Sequence, residues 1–269
     1  MKGTLPGNGE PLSRRGFLIA AGTGALTACA TGRTSSPQAD AVRIMARPLT
    51  PTSSIVPGQH RLQLGGARDG VLFIPARART NTGAPLVMML HGAGGSAAGM
   101  RFTFDVAEEF GVVVLAPDSR AGTWDAVHGR VGPDVTFINA ALEYVFDRVA
   151  VDPRRMGVGG FSDGASYALT LGLGNGDLFT HILAFSPGFI PEASRRGKPR
   201  VFISHGTQDD VLPLERTSAL IVPDLQSRGY DVRYREFGGP HAVPRPVARE
   251  AFQWFTGGRE GKGSGGARG

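Results

Sequence analysis

Two kinds of apolar pattern alternate along the chain. Leu86-Val87-Met88-Met89-Leu90 and Val112-Val113-Val114-Leu115-Ala116 are continuous apolar runs, which suit strands covered by helices on both faces. Residues 155–161, 181–185, 200–204 and 232–237 read as further strands. Between them, Val135, Phe137, Ile138, Ala141, Leu142, Val145 and Phe146 recur at helical spacing, with Asp134 as the expected N-cap. Helices are also expected over 97–110, 163–171, 214–227, with a kink at Pro223, and 246–255. Two short strands, 60–64 and 70–74, precede this series and form an antiparallel edge hairpin around a Gly/Asp turn. The alternation predicts an α/β fold: a doubly wound, mostly parallel sheet with helices on both faces. An irregular stretch from Pro117 to Pro133 should cross the carboxyl edge of that sheet. Its Trp124 reads as a packing residue in preference to a pocket wall.

The ends follow neither pattern. Ser13-Arg14-Arg15-Gly16-Phe17-Leu18 resembles a twin-arginine export signal, and the apolar run Phe17 to Ala28 is too short to span a bilayer comfortably. It closes on Leu26-Thr27-Ala28-Cys29, which resembles a bacterial lipobox. The expectation is lipidation at Cys29, the one cysteine of the chain, giving an exported lipoprotein held at the membrane of the cell envelope. The competing reading is a buried N-terminal helix with an ordinary core cysteine. Residues 30–57 are rich in Thr, Ser, Pro and Ala and read as a flexible linker, 58–256 as the folded domain and 257–269 as a disordered tail.

Charge adds an exclusion. The formal net charge of +6 suggests a polyanion partner until its distribution is considered. Residues 1–47 and 257–269 carry all of the excess, and the span 48–256 holds 20 basic and 20 acidic residues. No nucleic-acid partner is therefore expected. With no cysteine pair, no H-E-x-x-H and dispersed histidines, no metal site or other cofactor is expected either.

Chemistry centres on Gly160-Phe161-Ser162-Asp163-Gly164, a G-x-S-x-G pattern between an expected strand and an expected helix. A serine hydroxyl is a weak nucleophile unless a base removes its proton, and the base needs a third group to orient it. The segment His205-Gly206-Thr207-Gln208-Asp209-Asp210-Val211-Leu212-Pro213 and the loop His91-Gly92-Ala93-Gly94-Gly95 complete a set. From about Gly70 to Phe255 the chain resembles the serine carboxylesterase/phospholipase-like branch of the α/β-hydrolases. The resemblance implies ester hydrolysis through an acyl-enzyme. It also implies the chain order nucleophile, acid, histidine.

On that order Ser162 is the nucleophile and His241 the base, because His181 opens a strand and His205 precedes the acid candidates. Both Asp209 and Asp210 stand in the right loop. The resemblance favours Asp209, leaving Asp210 as a solvated carboxylate or cap. It further implies an oxyanion hole from the backbone N–H groups of Asp163 and Ala93, with Gly94 next in line. The short stretch Ser186 to Pro199, where relatives insert a cap, implies an open site for small or polymer-borne esters and no large cap domain. Two rivals stay open. The chain could be a silent binding or cell-envelope protein on this fold. Alternatively Gly92-Ala93-Gly94-Gly95-Ser96-Ala97 matches a dinucleotide fingerprint, with Asp118 as its ribose acid.

Overall fold

The computed structural model describes residues 41–191 and 193–257. The expected export signal, Cys29 and nearly all of the expected tail lie outside those residues. The element order is β1 (Gly58–Arg61), β2 (Gly70–Ile74), β3 (Ala84–Leu90), α1 (Phe104–Phe110), β4 (Val113–Pro117), α2 (Pro133–Arg148), β5 (Val151–Phe161), α3 (Asp163–Gly174), β6 (His181–Phe185), β7 (Arg200–Gly206), α4 (Ser218–Ser227), β8 (Val232–Phe237) and α5 (Arg245–Phe255).

The eight strands form one sheet in the order β1-β2-β4-β3-β5-β6-β7-β8. β1 and β2 pair antiparallel, as does β2 with β4, and every pairing from β4 to β8 is parallel. β3 is buried along its whole length, and its alternate residues feed two cores. Leu86, Met88 and Leu90 join the residues of α2, α3 and α4, while Val87 and Met89 join those of α1 and α5. α5 shows why a helix covers the second face: Val247, Ala248, Ala251, Phe252, Trp254 and Phe255 recur at helical spacing and are all buried.

Four expectations are corrected. The linker expected over 30–57 is packed onto the domain at residues 42–46. Val42, Ile44 and Ala46 are buried, and the Asn175 side chain accepts from Ile44 N–H at 2.8 Å and donates to the Val42 carbonyl at 2.9 Å. Asn139 Oδ1 accepts from Met45 and Ala46 N–H, and Asp177 binds Arg43 and Arg47.

Asp134 is not a cap but the second residue of α2. Its buried carboxylate accepts from the N–H groups of Arg120 at 2.6 Å and Asp125 at 2.7 Å, bracing the irregular stretch. Burial dominates there and raises its pKa.

The helix expected over 97–110 is a 3-10 segment, Ala97–Thr103, running into α1. The one expected over 214–227 breaks at Thr217 (φ −129°, ψ −98°), whose hydroxyl donates to the Pro213 carbonyl. Pro223 lies inside α4 on its exposed face, where water can serve the carbonyl it leaves unpaired.

Candidate active site

Ser162 joins the end of β5 to the start of α3 and adopts φ 59°, ψ −123°, a conformation that L-residues rarely hold. Surrounding bonds over-determine it. Its N–H donates to the Phe185 carbonyl at 3.0 Å, and its carbonyl accepts from Ala165 and Ser166. The flanking glycines allow backbone to pass backbone: a Cβ on Gly160 would stand 2.4 Å from the Gly164 carbonyl oxygen.

Asp209 follows β7 and is buried, whereas Asp210 beside it is exposed. Asp209 Oδ1 accepts from Val211 N–H at 3.1 Å and Leu212 N–H at 2.8 Å, and Oδ2 accepts from His241 Nδ1–H at 2.6 Å. Burial opposes ionisation, but the Leu212 and His241 bonds with the nearby imidazoles outweigh it, so the carboxyl sits below its usual pKa. Donation from Nδ1 leaves His241 Nε2 with its lone pair. The His241 ring packs on Phe161, the residue before Ser162, with centroids 4.6 Å apart. The two loops are laced by backbone bonds, Thr207 N–H to Phe237 and Gln208 N–H to Gly239. His205 shapes the first of them. Its Nε2–H faces the Leu212 carbonyl at 2.7 Å and Asp209 Oδ2 at 3.2 Å, and its Nδ1 accepts from Ser218 Oγ.

The glycine loop after β3 lies against the serine, since a side chain on Gly92 would begin 3.2 Å from Ser162 Cβ. Gly94 N–H is committed to the Gly122 carbonyl at 2.7 Å. Among the described residues the N–H of Ala93 has no such backbone acceptor, so of the two it is the uncommitted donor. The Asp163 side chain is held by Thr123 Oγ1 at 2.7 Å.

Trp124 is a core residue. It is fully buried, stacks on Tyr167 and donates from Nε1 to the His91 carbonyl. Asp118, the acid a ribose would require, has both oxygens occupied, by Ala97 N–H at 2.5 Å and Asp69 N–H at 3.0 Å.

Sequence reasoning missed two supports. Ser166, one turn after Ser162, accepts on Oγ from Gly188 N–H at 3.0 Å and Phe189 N–H at 3.4 Å, fixing the loop after β6. Arg68 reaches the glycine loop from the β1–β2 turn. The i+4 position of Ser166 on the elbow helix was a usable signal; nothing local marks Arg68.

No protein-family model matches the chain. The probable feruloyl esterase C of Aspergillus clavatus is 25% identical over 195 residues, which cover 69% of this chain and 70% of that protein. The feruloyl esterase C of Emericella nidulans is 27% identical over 162 residues, 57% of this chain and 58% of that protein. Among solved structures, the esterase PE8 superposes with a TM-score of 0.58 at 23% identity, covering 69% of this chain and 96% of its own. With the parallel sheet, the strained serine elbow and these relatives together, the chain has the α/β-hydrolase fold and is similar in sequence to esterases.

Proposed function

We propose that the protein is a serine esterase that cleaves carboxylic esters through an acyl-enzyme. His241 Nε2 takes the Ser162 proton as Oγ attacks the ester carbonyl, then returns it to the departing alcohol. Water repeats the sequence to release the acid. Asp209 holds the imidazole in the tautomer this needs and stabilises the imidazolium. The N–H groups of Asp163 and Ala93 receive the oxyanion, a contribution of about 10² to 10³ in rate per donor.

The observation that carries the reading is the 2.6 Å bond between a buried, ionised Asp209 and a His241 packed beside the serine elbow. The feruloyl esterase relatives favour esters of aromatic acids, small or polymer-borne. Exposed Phe189 and Val211, on the loops after β6 and β7, offer apolar surface suited to such acids. The twin-arginine and lipobox resemblances support export and membrane anchoring through Cys29.

The test is mass spectrometry after incubation with a fluorophosphonate ester, alongside turnover of p-nitrophenyl acetate. A single adduct on Ser162, lost together with turnover in Ser162→Ala, supports the reading. Folded protein that neither labels nor turns over would identify a binding protein on a hydrolase fold instead.

A further inference from the structure

We infer that Arg68 is the positioning residue of the oxyanion loop. This rests on the reading above, in which Ala93 supplies an oxyanion donor. Arg68 lies in the turn between β1 and β2, more than twenty residues before that loop, yet its guanidinium is spent on it and on the segment behind it. Nη2 donates to the Gly95 carbonyl at 2.7 Å and Nε to the Ser119 carbonyl at 2.5 Å. Nη2 also faces His91 Nε2 at 3.3 Å and Ser119 Oγ at 3.4 Å. A fork of donors fixed in one plane can bridge two backbone segments in this way; an ammonium on a flexible stem cannot hold both directions.

The fork is itself aimed. The Arg68 carbonyl accepts from Arg120 Nη1 at 2.7 Å. The next residue, Asp69, donates its N–H to Asp118, while its carboxylate accepts from Gln63 and Leu64 N–H. The loop is held at both ends and in the middle: His91 Nε2 accepts from Ser119 N–H at 3.0 Å, Gly94 N–H reaches Gly122, and Ala97 N–H reaches Asp118. Gly95 N–H closes a turn on the Gly92 carbonyl.

Within this frame Arg68 is the side chain that holds the Gly95 carbonyl. The peptide planes between Gly92 and Gly95 are coupled through that turn, so the direction of the Ala93 N–H depends on where Gly95 is held. Without the fork, the loop keeps its end anchors and loses the pull on its last peptide. The fold survives and the donor drifts.

Arg68→Gln and Arg68→Lys in the full chain test this, with Arg61→Ala, an exposed arginine of the same hairpin, as the control. Competent sites are counted by the end-point of fluorophosphonate labelling, and p-nitrophenyl acetate kinetics are expressed per labelled site. Expected for Arg68→Gln is a fall in kcat of about 100-fold with little change in KM, at full labelling stoichiometry. Arg68→Lys, which keeps the charge but loses the fork, is expected to fall between that variant and the native protein, and it carries the test if the glutamine variant does not fold. A kcat per site within about twofold of native, or a loss accounted for by fewer labelled sites, overturns the inference and leaves Arg68 a purely structural residue. A native protein that neither labels nor turns over fails the esterase reading, and the inference with it, before Arg68 is altered.

Discussion

The carbonyl oxygen of Leu90 lies 2.2 Å from the point where a side chain on Gly164 would begin. The His91 carbonyl is 2.5 Å from the same point, so both obstacles are backbone and neither can swing aside. Gly164→Ala is therefore expected to destabilise the fold by about 3 kcal/mol or more, the upper range for overpacking. Denaturant unfolding measures this. A variant of native stability would mean that the elbow helix can move away from β3.

Asp209 and Asp210 differ in burial and bonding, not in chemistry. Asp209→Asn keeps the shape but cannot hold His241 as Asp209 does, and a fall in kcat of about 10⁴-fold is expected. Asp210→Asn, in solvent, should stay within about twofold of native. Steady-state kinetics of the pair separate the two, and equal losses would reassign the acid.

His181 packs edge-on against Trp254 and Phe255. Burial, reinforced by Arg200 and opposed by Asp231, lowers its pKa to about 4. The unfolded chain binds this proton near pH 6.5 and the folded one does not, so the stability involved is complete above about 6.5 and lost as pH falls towards 4. A shift of this size corresponds to about 3 kcal/mol. His181→Phe keeps the ring packing and removes the titration. Unfolding free energies at pH 7 and pH 4.5 should therefore differ less in the variant than in the native protein.

Asn175→Ala leaves the buried N–H of Ile44 without an acceptor and the Val42 carbonyl without a donor. A loss of about 2 kcal/mol is expected. Proteolysis should also begin to cut near residues 41–47. Unchanged stability and unchanged cleavage would mean that Arg43, Arg47 and Asn139 hold the segment without Asn175.

The strands and the elbow were legible because their signals are local: an apolar run for β3, a glycine two residues either side of Ser162, and a single histidine between β8 and α5. Arg68 was not, because its partners at Gly95 and Ser119 are 27 and 51 residues away and a surface turn is an ordinary place for an arginine. Asp134 resembled a cap by position, yet its carboxylate is spent on Arg120 and Asp125, contacts that depend on the path of a loop. The segment before β1 was hidden by composition. Its Thr, Ser and Pro content masks the alternation of Val42, Ile44 and Ala46, which is the period of a chain lying flat with every second side chain inward.

That packed segment alters where the catalytic unit starts. A fragment cut at residue 48, or where composition changes near residue 57, would take Val42, Ile44 and Ala46 away and uncover the apolar surface beneath them along α2 and α3. α3 begins directly after Ser162 and ends beside Asn175, so the damage would fall on the helix that Ser162 leads into. A poorly active or aggregating fragment would then report a missing brace, and the shortest stable fragment is expected to include Val42.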